Sequence, residues 1–121
     1  MPRQIKTIGF FYRLKNARGL FWEKKITGWL KARFPKVRVT DRDPEVAIVL
    51  GGDGTILEAA RHYQAKSPLI LGFNLGRVGF LATARKEAEF LPSLAKFLKG
   101  EYWVTERTMM RANVLRNGEI V

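Results

Sequence analysis

The feature that most constrains the fold is a short apolar run that breaks into three glycines around one carboxylate. Residues 46–55 read Val-Ala-Ile-Val-Leu-Gly-Gly-Asp-Gly-Thr. The apolar part is too short for a typical helix and rich in β-branched side chains, which predicts a strand buried on both faces. From Thr55 onward apolar residues recur with helical spacing, at Ile56, Ala59, Ala60 and Tyr63. The pattern therefore predicts a strand, a glycine turn and a helix.

Such a turn has the chemistry of an anion-binding site. Gly51, Gly52 and Gly54 would allow positive φ angles and let a ligand approach the main chain closely. The helix that follows would offer N–H donors and a positive dipole end, which suit phosphate. Asp53 does not fit a simple phosphate cradle, because a carboxylate repels phosphate. This residue is expected to act on a hydroxyl group or a metal instead.

A purely structural interpretation of the same turn stays open at this point. Asp before Gly is common in tight turns, and Thr55 with Glu58 three residues later would form a capping box that needs no ligand. The spacing matches neither the G-x-x-x-x-G-K-[ST] loop nor G-x-G-x-x-G, so the mechanisms of those motifs do not transfer.

A second glycine-marked turn favours binding. Residues 68–73 form another short apolar run, and Asn-Leu-Gly-Arg-Val-Gly-Phe-Leu follows at residues 74–81. Two such strands joined by a helix make a parallel βαβ unit, so both turns would leave the sheet at its carboxyl edge, where open α/β sheets bind ligands. Asn74, Gly76 and Phe80 thereby become candidate binding residues, although Asn74 also suits an ordinary turn and Phe80 a core.

Together the two motifs resemble the NAD kinase family. Lipid kinases and phosphofructokinases carry similar Gly-Gly-Asp-Gly turns, whereas the motif at residues 72–81 is more specific. The resemblance implies transfer of the terminal phosphoryl group of ATP, or of polyphosphate, to the adenosine-ribose 2′-hydroxyl of NAD. It also implies nucleotide substrates, a homo-oligomer at full length, and Mg²⁺ bound through the phosphates rather than by a protein cage.

The resemblance assigns roles to residues in both turns. Asp53 matches the family's catalytic aspartate, which receives the proton of the attacking hydroxyl. The matching binding positions are Gly52, Gly54 and Thr55 on the phosphate side, and Asn74 and Phe80 on the dinucleotide side, with Gly51 and Gly76 completing the two turns. Glu58 departs from the family pattern, since members often have a basic or small residue there.

The remaining elements predict one α/β domain over residues 1–106, with a three-layer, mostly parallel sheet and helices on both faces, as in Rossmann-like and phosphofructokinase-like domains. Strands are expected at 5–12 and 37–40, and a helix at 18–33 despite the cost of Gly28. A further helix carries Leu91, Leu94 and Leu98, with Pro92 in its first turn and Gly100 just beyond its end.

Residues 107–121 are expected to begin a truncated all-β second domain. The stretch 109–115 has strand character, and Asn117-Gly118 is a strong hairpin signal. Only three residues follow this turn, which would leave an unpaired strand edge. In NAD kinases the second domain carries an Asn-Glu pair that contacts NAD, and no Asn-Glu dipeptide occurs in this sequence. We therefore expect a chain that holds the catalytic aspartate but lacks much of the NAD pocket.

The chain is strongly basic, with a net charge of +11. Residues 1–44 hold 12 Lys/Arg against 3 Asp/Glu, whereas residues 45–121 hold 10 against 8. This excess fits a solvated basic face, attraction of nucleotide or polyphosphate, or contact with nucleic acid or acidic lipid. Nucleic acid ranks below nucleotide because no nucleic-acid motif accompanies the charge.

Other classes are disfavoured by absences in the sequence. Without cysteine there are no disulfides, thiolate nucleophiles or cysteine zinc sites. No apolar stretch approaches a membrane span or a signal peptide, so a cytoplasmic protein without membrane contact is expected. Three hypotheses remain: an NAD kinase, a lipid or sugar kinase with the same glycine turn, and a basic binding module without enzymatic activity.

Overall fold

The computed structural model describes residues 4–63, 68–75 and 84–101, together with the backbone of residues 115–116 and 119–120. Strands and helices alternate through most of this part of the chain. In order they are β1 (Thr7–Phe11), α1 (Ala17–Arg33), β2 (Arg38–Val39), β3 (Val46–Gly51), α2 (Asp53–His62), β4 (Leu69–Asn74), a 3-10 turn (Glu87–Glu89), α3 (Phe90–Leu98), β5 (Leu115–Arg116) and β6 (Glu119–Ile120).

Four strands form one parallel sheet in the order β2-β1-β3-β4. Every residue of β3 is buried, as the uninterrupted apolar run predicts. Ile48 and Leu50 pack into the larger core cluster with α1 and α3, whereas Val49 packs with α2 on the opposite face. The predicted three-layer α/β architecture is confirmed.

Helix α1 begins where a side chain can cap it. The Asn16 carboxamide oxygen accepts hydrogen bonds from the N–H groups of Arg18 and Gly19, which satisfies two of the donors that a helix start leaves unpaired. The buried stripe is formed by Trp22, Ile26 and Leu30. This spacing turns one face of α1 to the sheet and leaves the other for charged residues.

Helix α3 covers the same face of the sheet as α1 does. Its first residue, Phe90, is fully buried and stacks on Phe73 of β4 with ring centroids 4.6 Å apart. At the other end Gly100 has φ 85°. The N–H groups of Gly100 and Glu101 donate to the carbonyls of Phe97 and Lys96. This is a Schellman motif, which confirms Gly100 as the residue just beyond the helix.

A charged cluster ties α1 to the segment before α3 and to the end of β4. The Glu87 carboxylate accepts hydrogen bonds from Nε1 of Trp22 at 3.1 Å and from Arg18. Arg18 also donates to the carbonyl of Leu75, the residue after β4. The hydrogen bonds from Arg18 and Trp22 hold the pKa of Glu87 below its ordinary value. One guanidinium thus joins three separate segments.

The C-terminal strands β5 and β6 form an antiparallel pair, with Leu115 opposite Ile120 and Arg116 opposite Glu119. Two residues separate the strands, which agrees with the predicted hairpin at Asn117-Gly118. Whether residues 107–121 begin a second domain stays a prediction. None of the helices in the described ranges is long and apolar enough to cross a membrane.

Two glycines of α1 differ in the room around them, which allows a matched comparison. A Cβ on Gly19 would lie 2.6 Å from the Tyr12 ring, whereas a Cβ on Gly28 would meet nothing within 4 Å. Gly28→Ala should therefore raise the free energy of unfolding by about 1 kcal/mol, since alanine is the better helix former. Gly19→Ala should lower it by about 1–3 kcal/mol through the clash. Urea denaturation of both variants checks this, and equal effects would contradict it.

The charged cluster should make stability depend on pH. Because the folded-state pKa of Glu87 is lowered, its carboxylate stabilises the fold above the unfolded pKa, and this contribution is lost as the pH falls through the folded value. Glu87→Gln should therefore flatten the decline of unfolding free energy on acidification from about pH 5. Arg18→Met, which removes the main partner, should flatten it similarly. Unchanged slopes in urea denaturation series would refute the role of this cluster.

Candidate active site

The two predicted turns lie side by side at the carboxyl edge of the sheet. In the register of β3 and β4, Gly51 is the direct partner of Asn74. The N–H of Leu75 donates to the Gly51 carbonyl at 3.2 Å, so the alignment persists one residue beyond the strand. The predicted convergence of the two motifs is confirmed for these positions. Gly76 and Phe80 lie outside the described residues.

The same edge contains the topological switch point of the sheet, where successive connections run to opposite sides. From β1 the chain passes through α1 to β2 on one side, whereas from β3 it passes through α2 to β4 on the other. Because β1 and β3 are neighbours, their outgoing connections diverge and leave a crevice at their carboxyl ends. Open α/β sheets bind ligands in such crevices. Residues 12–16 and 51–54 border it.

Helix α2 begins earlier than the sequence pattern indicates. Its first residue is Asp53, and the extended Gly52 precedes it as N-cap, with its carbonyl accepting from the N–H of Ile56 at 3.0 Å. Thr55 therefore lies inside the first turn, where it is 5% exposed. The predicted capping box of Thr55 and Glu58 is wrong, because the helix is already formed at Thr55. Gly52 supplies no side-chain cap.

The glycines of the turn do not serve the conformational purpose that was predicted. Among the described glycines only Gly100 has a positive φ, so Gly51, Gly52 and Gly54 use backbone conformations open to other residues. Gly51 is required by packing, since a Cβ there would lie 2.6 Å from Oγ1 of Thr55. A Cβ on Gly52 would meet nothing within 4 Å. A Cβ on Gly54 would meet Nη2 of Arg13 at 3.5 Å, so the main chain at Gly52 and Gly54 is more open than at Gly51.

Asp53 stands where strand, turn and helix meet. It is half-buried and is the first residue of α2. At this position a carboxylate interacts favourably with the positive end of the helix dipole, and the first-turn N–H groups lie next to it. The site therefore combines a proton-accepting group with donors suited to phosphate. That combination fits transfer of a phosphoryl group to a hydroxyl better than simple anion binding does.

Asn74 borders the site from β4. It is 3% exposed, and its backbone N–H donates to the Ala84 carbonyl at 2.9 Å. Ala84 in turn donates to the Gly72 carbonyl and forms a parallel bridge with Phe73. The main chain around Asn74 is therefore fixed on one side by β3 and on the other by Ala84. The backbone position of this buried residue at the sheet edge is therefore defined.

Sequence reasoning missed Arg13, which lies two residues after β1. Its Nη2 lies 2.6 Å from Oε1 of Glu58 and 3.5 Å from where a Cβ on Gly54 would be. The two side chains are 63% and 46% exposed, so the ion pair contributes no more than about 1 kcal/mol. The available signal was the position of Arg13 at the end of the first strand, on the same edge as both glycine turns.

Among the described residues, no group of three or more His, Cys, Asp or Glu side chains could hold a metal ion.

The fold is similar to that of a crystallised enzyme. The structure of yeast NADH kinase complexed with NADH superposes with a TM-score of 0.70 over 82% of this chain and 37% of the yeast chain. The sequences are 16% identical in this alignment, so the similarity establishes the α/β fold alone.

Other relatives are more similar to this chain in sequence than the yeast enzyme is. The chain is 33% identical to an NAD kinase of Geobacter sp. strain M21, across 97% of this chain and 48% of the relative. It is 47% identical to the NAD kinase of Geobacter sulfurreducens, across 95% of this chain and 46% of that protein. The chain thus spans about half the length of the curated relatives it matches.

A protein-family model also matches this chain. The model of the ATP-NAD kinase N-terminal domain matches residues 8–102, which run from the second residue of β1 to beyond α3 and include both glycine turns. From the fold, the paired turns and this match, the chain belongs to the NAD kinase family and corresponds to its N-terminal domain.

Proposed function

We propose that this chain forms the phosphoryl-transfer half of an enzyme that converts NAD to NADP. The 2′-hydroxyl oxygen of the adenosine ribose attacks the terminal phosphorus of ATP or polyphosphate, and the bond from that phosphorus to the bridging oxygen breaks. The hydroxyl proton passes to the Asp53 carboxylate, and the donor leaves shortened by one phosphoryl group. The observation that carries this proposal is Asp53 as the first residue of α2, beside the open main chain of Gly52 and Gly54.

The two sides of the crevice have different tasks in this proposal. Gly52 and Gly54 expose the main chain at the start of α2, so the donor phosphates approach the N–H groups there, with Thr55 packed behind them. On the β4 side Asn74 faces the dinucleotide, with Gly76 and Phe80 at the following family positions. Phosphoryl transfer depends mainly on positioning and electrostatic stabilisation, together with one carboxylate that orients the acceptor. In this proposal Gly52 and Gly54 position the donor, Asn74 positions the dinucleotide, and Asp53 orients the attacking hydroxyl.

Mg²⁺ would be held by the phosphates and would neutralise the charge that develops on the transferred group. The second half of the protein would complete the dinucleotide pocket, since the chain spans only about half the length of its relatives. We further propose that the full-length protein is a homo-oligomer, as the family resemblance implies.

NADP formation should require more of the protein than this domain. The 121-residue chain alone should form no measurable NADP from NAD, ATP and Mg²⁺, whereas the product of the complete reading frame should form it. The physical reason is that part of the dinucleotide pocket would come from residues beyond this domain. Coupled enzymatic detection of NADP checks both proteins. Robust turnover by the 121-residue chain would place the whole NAD site within it.

The role of Asp53 can be tested in the product of the complete reading frame. Asp53→Asn keeps the shape of the side chain but removes the proton acceptor, so kcat should fall by about 10²–10⁴-fold. KM for NAD should change less, because the loss falls mainly on the transition state. Initial-rate kinetics with a circular dichroism check of folding provide the measurement.

Asp43→Asn is the matched control for this substitution. Asp43 is exposed in the connector between β2 and β3 and has φ 45°, a conformation that asparagine also tolerates. Asp43→Asn removes the same charge as Asp53→Asn and should leave kcat unchanged. Turnover of a folded Asp53→Asn variant within a few-fold of the wild type would show that Asp53 is only a turn residue.

A further inference from the structure

We propose that Arg13 is a phosphate-binding residue of the candidate site, which Glu58 holds beside the glycine turn until the donor's phosphates take its place. This inference rests on the proposed function and adds to it a residue from β1, an element that neither glycine motif includes. The ligand class is a chain of two or more phosphates, as in a nucleoside triphosphate or inorganic polyphosphate.

The position of Arg13 supports this role. It follows β1 by two residues and therefore borders the crevice between β1 and β3, on the side opposite β4. Its Nη2 lies 3.5 Å from the place that a Cβ on Gly54 would occupy. The guanidinium therefore lies against the first turn of α2, at the residue whose missing side chain leaves the main chain open. A phosphate bound to this turn would be within reach of the same guanidinium.

The contact with Glu58 is easily exchanged. It joins Nη2 to one carboxylate oxygen at 2.6 Å, and both side chains are about half exposed or more. A phosphate group offers several oxygens to the planar fork of an arginine and accepts two parallel hydrogen bonds. A ligand with several negative charges thus competes effectively with a single exposed carboxylate. Glu58 keeps the guanidinium at the turn while the site is empty.

The basic residue at the start of α1 has its hydrogen-bond partners outside the glycine turn. Arg18 donates to the Leu75 carbonyl and to Glu87, and these contacts hold the end of β4. Arg13 is thus the arginine near the end of β1 that faces the glycine turn. Glu58, which departs from the usual family pattern, is in this proposal the ion-pair partner that positions Arg13.

The test measures binding of tripolyphosphate and of ATP by calorimetry in the presence of Mg²⁺, with the product of the complete reading frame. Arg13→Gln should weaken tripolyphosphate binding by about 10- to 100-fold, as expected for loss of hydrogen bonds to a charged group. Arg13→Lys should retain part of the affinity, because it keeps the charge but lacks the fork. Arg38→Gln, an equal charge change on exposed β2, is the control and should alter affinity less than about twofold.

Glu58→Gln provides the decisive arm of the experiment. It should tighten tripolyphosphate binding about threefold or more in the wild-type background, because Arg13 is released. In the Arg13→Gln background the same substitution should have almost no effect. Equal tightening in both backgrounds would show that Glu58 merely repels the anion, and the proposed exchange would be overturned. So would Arg13→Gln binding that matches Arg38→Gln, or wild-type protein that binds no tripolyphosphate.

Kinetics separate this inference from the proposed function. If Arg13 binds the donor, Arg13→Gln should raise KM for ATP and leave KM for NAD nearly unchanged. NADP formation with an unaltered KM for ATP would overturn the role of Arg13 while the proposed function stands. Arg13-dependent tripolyphosphate binding in a protein that forms no NADP would overturn the proposed function and leave the phosphate site standing.

Discussion

The parallel pairing of β3 with both of its neighbours is the constraint on which the site depends. β3 is fully buried and pairs with β1 on one side and β4 on the other, in a register that sets Gly51 opposite Asn74. This pairing brings three chain segments that are distant in sequence to one edge. The candidate chemistry resides mainly in short turns, but their relative placement comes from the hydrogen bonds between these strands.

The sequence predicts those parts of the fold that local patterns determine. The apolar run of β3, the helix at α1 and the glycine beyond α3 each need only the residues within a few positions. The start of α2 was predicted too late, because a Thr-x-x-Glu pattern is a local signal that the extended Gly52 overrides. The pairing of Arg13 with Glu58 joins residues 45 apart and exists only once β1 and β3 are neighbours.

Several basic residues among the first 44 make contacts within the fold. Arg18 is occupied by a backbone carbonyl and a carboxylate, and Arg33 and Lys25 lie over aromatic rings of α1. Such contacts let long cationic side chains cover apolar surface while their charges stay in water. Part of the positive charge therefore serves the structure, which weakens the argument for a basic binding module.

The close contact of Gly51 with Thr55 has a consequence for the history of this motif. A Cβ at position 51 would lie 2.6 Å from Oγ1 and 2.7 Å from Cβ of Thr55, so even alanine or serine at position 55 would not relieve the overlap. The two positions are thus sterically locked to each other. Invariance of the first glycine in a lineage would record this lock rather than selection by a ligand. An unchanging glycine at this position would therefore not by itself be evidence of contact with a nucleotide.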